Sequence, residues 1–157
     1  PCCLKPYPSK FLQSGVQYRQ VLVVDIGGRQ VSTMGNLGAL AMKVKGVQGM
    51  VVDGGVRDAE QITEVGFPAY VRHTCAVSGT GRLKVLGLNV PVQIGDVRVN
   101  PGDIVVADDT SVAIVPADKA AEILKAALDI EARDAKIEEE LRAGGSFTEV
   151  SAKYRGQ

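Results

Sequence analysis

The sequence predicts an α/β fold with mixed sheets and a long C-terminal helix, and three observations indicate it. Residues 21–71 alternate apolar runs of strand length with segments of helical period, which is typical of βαβ units in a mostly parallel sheet. Residues 89–116 hold short apolar runs separated by turn residues, as in a β-meander or barrel. Residues 117–143 have apolar side chains at helical spacing. We expect a single domain over residues 1–157, because this length suits one domain.

The first half is predicted to begin with an extended segment, since residues 1–10 contain three prolines. Short apolar runs then predict the strands: VLVVD at 21–25, a brief run at 30–34, GMVVD at 49–53 and PAYV at 68–71. The glycines at 27 and 28 are predicted to end the first strand. Residues 72–88 have mixed polarity and are predicted to form a loop.

Two helices are predicted between these strands. The first has apolar residues at i, i+3, i+4 and i+7: Leu37, Leu40, Ala41 and Val44. Asn36 is its predicted N-cap, because an Asn side chain can accept first-turn amides, and Gly46 is predicted to end it. The second helix is predicted to start at Asp58 and to end at Gly66. Two of its residues are expected to face the core: Ile62 and Val65.

The second half is predicted to hold short strands and then one long helix. The strands are NVPVQI, VRV, DIVVAD and SVAIVP, between residues 89 and 116. The helix covers 117–143, with apolar positions at Ala120, Ile123, Leu124, Ala127, Ile130, Ile137 and Leu141. A glycine pair at 144–145 is predicted to end it, and a short polar tail follows.

The charge balance argues against some classes of partner. Lys+Arg and Asp+Glu both total 18, so the chain lacks the basic excess of a non-specific nucleic-acid or anionic-membrane binder. No apolar run approaches the ~20 residues of a membrane span, and no signal peptide is visible. The three cysteines form no CxxC pair, which favours reduced thiols and a cytoplasmic location.

The sequence also narrows the chemistry. With one histidine, His73, the chain cannot build a three-histidine zinc site or an HExxH motif, and we expect His73 to be a solvated loop residue. Walker and GxGxxG loops are absent, which argues against a dinucleotide site. Lys43 and Lys45 lie in charged surroundings and are better explained as solvated residues than as Schiff-base lysines.

The remaining possibility is a site made of backbone amides and oxygen ligands at two helix starts. Glycines at Gly35 and Gly38 let the backbone approach an anion, and the helix dipole favours a carboxylate or enolate there. Arg57 can clamp a carboxylate with two hydrogen bonds, and Asp58 can bind Mg²⁺. Both starts follow neighbouring strands, so they can converge. The alternatives are an ordinary Asn-capped helix at Gly35, and an N-cap with a surface ion pair at Arg57 and Asp58.

Several blocks resemble the RraA-like family, which includes 4-hydroxy-4-methyl-2-oxoglutarate / 4-carboxy-4-hydroxy-2-oxoadipate aldolases and ribonuclease E activity regulators. The blocks are GNLGALAMKVKGVQGMVVDGGVRD, GFPAYVR, NVPVQIGDVRVNPGDIVVADD and VAIVP. The resemblance runs from about residue 21 to about residue 144, and relative to the family the chain lacks an N-terminal portion. It implies a swivelling β/β/α domain that assembles as a homotrimer or hexamer.

The resemblance also implies roles for site residues. Asp58 would be the direct ligand of Mg²⁺ or Mn²⁺, and Arg57 would bind the pyruvyl carboxylate and steady the enolate. The amides of Asn36, Leu37 and Gly38 would hold the same carboxylate. A carboxylate from a neighbouring subunit's C-terminal helix would lie near the metal, and the matching candidates, which otherwise suit a solvated helix face, are Glu131 and Asp134.

These features predict a class II pyruvate aldolase that cleaves a 4-hydroxy-4-methyl-2-oxoglutarate-type substrate to pyruvate and also decarboxylates oxaloacetate. Its ligand would be a small 2-oxo acid, and neither nucleic acid nor a membrane is expected as a partner. Asn36 stands where the aldolase signature has Asp, which removes a negative charge beside the metal. The alternative is a non-catalytic regulator that binds a ribonuclease E-type partner. A quinone methyltransferase has little support, since no Gly-rich adenosylmethionine loop is visible.

Overall fold

The structure, a computed structural model, describes residues 20–155, with side chains as far as Tyr154. The predicted extended segment at 1–10 lies outside the described residues. Within the described part the chain divides into two compact units between Ile114 and Val115. No helix among the described residues is long and apolar enough to cross a membrane.

The first unit is built on a parallel sheet of three strands in the order β1-β2-β3. The strands are β1 (Val21–Ser32), β2 (Gly49–Val56) and β3 (Ala69–Thr74). All eight residues of β2 are buried, because a central strand of a covered parallel sheet has neighbours on both edges and both faces. The predicted alternation of strands and helices over residues 21–71 is therefore confirmed.

The prediction that the glycines at 27 and 28 end the first strand was wrong. Strand β1 continues to Ser32 and includes residues 30–32 of the predicted run at 30–34, with register shifts on either side of Arg29. Gly27 and Gly28 have φ of 66° and 69°, which glycine adopts without steric cost, so the chain bulges there and resumes pairing with β2.

Two helices connect these strands: α1 (Asn36–Val44) and α2 (Ala59–Val65). Ile62 is buried and Val65 packs against the core, as predicted. The apolar face predicted for α1 was wrong: Leu37 and Val44 are 75% and 79% exposed. The residues that α1 buries are Ala39 and Met42. They join a core that includes Met34, Val47, Met50, Val52, Val56, Ile62 and Phe67.

The rest of the first unit contains short strands: β4 (Val92–Ile94), β5 (Val97–Val99), β6 (Ile104–Ala107) and β7 (Val112–Val115), the last of which crosses the division between the units. Strands β4 and β5 form an antiparallel hairpin, and β6 lies beside β7. Two carboxylates of the main sheet hold the hairpin: Asp25 accepts the Gln93 amide at 3.1 Å, and Asp53 accepts the Gly95 amide at 3.1 Å. The predicted short strands are thus present.

The second unit consists of a 3₁₀ turn (Ala117–Lys119), the long helix α3 (Ala120–Arg142) and helix α4 (Phe147–Arg155). The long helix is confirmed, and the predicted short polar tail contains helix α4. Ile137 is the only buried residue of α3, and Val150 of α4 is buried as well. Glu140 ties the two helices together by accepting hydrogen bonds from Lys153 and Tyr154.

Candidate functional site

Two chain segments meet where β1 and β2 end, and the backbone fixes their spacing. The Thr33 amide donates to the Gly55 carbonyl at 2.8 Å, and the Arg57 amide donates to the Met34 carbonyl at 3.0 Å. Parallel neighbours end at the same edge of a sheet, so the turn before α1 and the turn before α2 lie side by side. The structure therefore brings together the two predicted helix starts.

Asp58 has an unusual backbone conformation at this edge. Its φ and ψ are 57° and 41°, in the left-handed region that Asp and Asn tolerate better than most residues. It occupies the N-cap position of α2, but its side chain makes no capping hydrogen bond. The carboxylate instead faces the start of α1, where Oδ2 accepts the Asn36 amide at 3.3 Å. Asp58 is therefore an N-cap by position but not by side-chain hydrogen bonding, and the ion pair with Arg57 that the alternative expected is present.

The guanidinium of Arg57 lies over Gly35. A Cβ built on Gly35 would lie 2.5 Å from Asp58 Oδ2 and 2.9 Å from Arg57 Nε, both closer than real Cβ contacts. The same Arg57 Nε is 3.6 Å from Asp58 Oδ2, and both side chains are partly exposed. Glycine at position 35 therefore leaves the space that lets the Arg57 and Asp58 side chains face the start of α1.

The start of α1 differs from the prediction in one respect. Gly35 is the N-cap, with its carbonyl accepting the Ala39 amide at 3.1 Å, and Asn36 is the first helical residue. The prediction of Asn36 as the N-cap was wrong by one residue, but its side chain does accept a first-turn amide, that of Leu37, at 2.8 Å. In the described part of the chain, the Gly38 amide has no acceptor. The amides of Asn36 and Leu37 already donate to side chains, to Asp58 Oδ2 and Asn36 Oδ1 respectively.

An open cavity of about 370 Å³ lies beside Arg57 and Asp58. Its lining residues come from the ends of β2 and β3: Val56, Arg57, Asp58, Thr74, Cys75 and Ala76. Sequence reasoning missed Thr74 and Cys75. The signal for them was their position three and four residues after the PAYV run, at the carboxyl end of the strand, since the carboxyl ends of parallel strands share one edge. The cavity is large enough for a small organic acid.

The residues of this edge fit a divalent cation held through one carboxylate. In the chain from residue 20 to residue 155, no group of three or more His, Cys, Asp or Glu side chains forms a ligand cluster. Mg²⁺ does not need such a cluster, because it keeps several waters and often binds through one or two carboxylates plus its substrate. Asp58 supplies one half-exposed carboxylate that no helix cap occupies.

Other sequence candidates lie elsewhere. His73 was predicted to be a solvated loop residue, which was wrong: it is a half-buried residue of β3, and its Nε2 lies 3.0 Å from the Gly28 carbonyl. Lys43 donates to the Val65 carbonyl at the end of α2, so it links the two helices. Glu131 and Asp134 lie on α3 in the second unit, at exposed positions.

The chain is similar to known proteins over most of its length. The family described as RraA-like, Aldolase/RraA, matches residues 9–114. An uncharacterised protein of Methanocaldococcus jannaschii is 35% identical over 128 residues, which cover 82% of this chain and 61% of that protein. The 4-hydroxy-4-methyl-2-oxoglutarate aldolase of Thermus thermophilus is 38% identical over 101 residues, which cover 62% of this chain and 59% of that enzyme. The chain thus spans less than two thirds of these relatives.

A solved structure extends the similarity to the fold. The Streptomyces coelicolor protein, described as an unusual member of the RNase ES inhibitor RraA protein family, superposes with a TM-score of 0.74 at 32% identity. The match covers 88% of this chain and 73% of that one. The mixed α/β architecture with its long C-terminal helix is therefore that of RraA-like proteins.

Proposed function

Because the chain belongs to the RraA-like family, we propose that it is a divalent-metal-dependent, class II pyruvate aldolase. Its substrates would be of the 4-hydroxy-4-methyl-2-oxoglutarate type, with pyruvate as one product and oxaloacetate decarboxylation as a side activity. The observation that carries the proposal is the arrangement of Arg57 and Asp58 over Gly35. Both side chains face the start of α1, and they lie so close to Gly35 that a Cβ at this position would not fit.

Arg57 would bind the pyruvyl carboxylate of the substrate. A guanidinium offers donors in a planar fork that matches a carboxylate, and the Gly38 amide and the dipole of α1 add further attraction for the same anion. Once seated, the substrate has its 2-oxo group near Arg57, whose positive charge stabilises the negative charge that develops on the pyruvyl fragment when the C3–C4 bond breaks.

Asp58 would hold Mg²⁺ or Mn²⁺, which supplies Lewis-acid polarisation of the 2-oxo group when it is bound. The left-handed backbone of Asp58 supports this role, since strained non-glycine residues cluster at functional sites. Within the described residues that line the cavity, Asp58 is the only carboxylate. We therefore propose a homotrimer or hexamer in which Glu131 or Asp134 of a neighbouring subunit adds the second carboxylate.

The decisive experiment is oxaloacetate decarboxylation with Mg²⁺ and with a chelator. We expect Mg²⁺-dependent activity, and we expect Asp58→Ala to lower kcat/KM by about 100-fold or more, as losing a main electrostatic group does. Glu60→Ala is the matched control, because Glu60 is an exposed carboxylate on α2 that does not line the cavity. Activity that survives chelation, or an Asp58→Ala variant as active as Glu60→Ala, would contradict the enzyme proposal.

Asn36→Asp tests the position where the chain departs from the aldolase signature. Asn36 N contacts Asp58 Oδ2, so a carboxylate at position 36 would add negative charge next to the metal ligand. We expect Mg²⁺ to bind about three- to tenfold more tightly, a change of roughly 0.7–1.4 kcal/mol. Calorimetric titration with Mg²⁺ measures this, and unchanged affinity would show that residue 36 acts only at the helix start.

The second candidate function is a regulator that binds a ribonuclease E-type protein. Two observations favour it: Asn36 leaves the site with one carboxylate, and the similar Streptomyces coelicolor structure belongs to a family described as RNase ES inhibitors. The assay above discriminates between the two candidates. A regulator would lack metal-dependent decarboxylation and would bind the ribonuclease equally well as wild type and as Asp58→Ala.

A further inference from the structure

Ser32 is a buried polar residue that the proposed reaction does not use directly. It ends β1 and is 1% exposed, and in the described part of the chain only Asp53 is likewise polar and buried. A hydroxyl buried away from water needs partners, because burying it unpaired costs roughly 1–3 kcal/mol. Its contacts therefore indicate why a serine stands at this position.

The backbone amide and carbonyl of Ser32 are both hydrogen-bonded to one neighbouring segment, residues 77–79. Its amide donates to the Val77 carbonyl at 2.8 Å, and its carbonyl accepts the Gly79 amide at 2.9 Å. The chain around Ser32 is thus tied to the segment that follows the cavity residues Thr74 and Cys75. Because these hydrogen bonds hold the backbone of Ser32, its side chain has a fixed starting point at the end of β1.

The polarity of the two hydroxyl contacts is also determined. Ser32 Oγ lies 2.9 Å from the Met34 carbonyl, and a carbonyl only accepts, so the hydroxyl proton goes to Met34. Arg57 Nη1 lies 3.5 Å from the same Oγ, and a guanidinium only donates, so Ser32 accepts from Arg57. Met34 also accepts the Arg57 amide, which ties both ends of Arg57 to one turn.

We propose that Ser32 is a positioning residue, which turns the Arg57 guanidinium toward the carboxylate site. This inference rests on the proposed role of Arg57 as the carboxylate clamp. Of five N–H donors on a guanidinium, Nε faces Asp58 and one Nη1 proton faces Ser32. Three donors remain, which is enough for a two-bond contact with a carboxylate. Without Ser32, Asp58 would be the remaining side-chain partner, among the described residues, of a side chain that is 44% exposed.

The test compares Ser32→Ala with Thr33→Val. Both remove a hydroxyl from adjacent residues, but the Thr33 hydroxyl donates to the Gly55 carbonyl and does not contact Arg57. We expect Ser32→Ala to weaken oxalate binding about fivefold and to raise KM for oxaloacetate by a similar factor, with kcat changed less, as loss of one hydrogen bond to a charged group would do. Thr33→Val should leave both values near wild type.

A second readout does not depend on activity. The ¹⁵N order parameter of Arg57 Nε, assigned with Arg57→Lys, should fall in Ser32→Ala and stay unchanged in Thr33→Val. If Ser32→Ala fails to fold, Ser32→Cys carries the test, because sulfur keeps most of the volume and is a weak acceptor. An unchanged order parameter with unchanged oxalate affinity would overturn the proposal, even if the melting temperature fell. A wild type without decarboxylase activity but with the Arg57 effect would refute only the proposed function.

Discussion

Gly35→Ala is expected to abolish most of the metal-dependent decarboxylase activity while the fold survives. The added Cβ would lie 2.5 Å from Asp58 Oδ2, 2.9 Å from Arg57 Nε and 3.0 Å from Arg57 Cζ. Gly35 itself has extended backbone angles that alanine adopts freely, so the substitution acts on the two side chains and not on the turn. We expect a loss of about 100-fold or more in kcat/KM, since small displacements of catalytic groups have effects of this size.

The control for this prediction is Gly102→Ala. Gly102 lies in a turn at φ 97°, and a Cβ there would meet nothing within 4 Å. That substitution should lower stability by about 1 kcal/mol because alanine is strained at positive φ, yet it should leave the activity intact. Steady-state kinetics and thermal melts of both variants separate the two effects. A Gly35→Ala variant with near wild-type kcat/KM would show that Arg57 and Asp58 are not the active pair.

The parts of the fold that depend on local pattern could be predicted. The run GMVVD predicted β2 because a central parallel strand is apolar along its length. The run VLVVD predicted only the first part of β1, because the continuation beyond the glycine bulge depends on pairing with Gly54 and Gly55, which no local pattern encodes. A glycine pair looks the same in a sequence whether it ends a strand or bends it.

Helix α1 shows a different limit of periodicity. Leu37, Leu40 and Val44 lie on one face at helical spacing, and the prediction assigned that face to the core. The structure buries Ala39 and Met42 instead. Periodicity detects an apolar face, but it does not distinguish a face that packs against the core from one that stays on the surface of the chain. Small residues such as Ala39 allow the closest approach to the sheet and carry little weight in a pattern of large apolar side chains.

The meeting of Gly35 with Arg57 and Asp58 was predictable, because both follow neighbouring strands that end at the same edge. The left-handed conformation of Asp58 and the contact between Ser32 and Arg57 were not. The first depends on how the chain turns between β2 and α2, and the second joins residues 25 positions apart. Their roles follow from side-chain directions, which become fixed only when the core packs.

Asp53→Ala is expected to destabilise the first unit by about 2 kcal/mol, because it removes a buried acceptor on which two other segments depend. The Asp53 carboxylate is 7% exposed and accepts from Arg72 Nε on β3 at 2.5 Å and from the Gly95 amide of the β4–β5 hairpin at 3.1 Å. Arg72 is half exposed, so solvent screens part of its ion pair with Asp53. Most of the expected loss of stability therefore comes from the buried Asp53 carboxylate and its hydrogen bonds. Urea unfolding at neutral pH measures the effect.

The same residue predicts an acid-sensitive part of the stability. The hydrogen bond from Arg72 lowers the pKa of the Asp53 carboxyl, burial opposes that shift, and the Gly95 amide lowers the pKa further. Because the folded-state pKa lies below the unfolded value of about 4, this contribution is complete above that pH and is lost as the pH falls through the folded pKa.

Asp53→Asn lacks the titration, so the difference between its free energy of unfolding and that of wild type should narrow as the pH falls below about 4. Asp96→Asn removes the same charge from an exposed position in the hairpin turn and should show a much smaller gap at every pH. A gap for Asp53→Asn that stays constant from neutral to acid pH would mean that the charge of Asp53 does not hold the hairpin to the sheet.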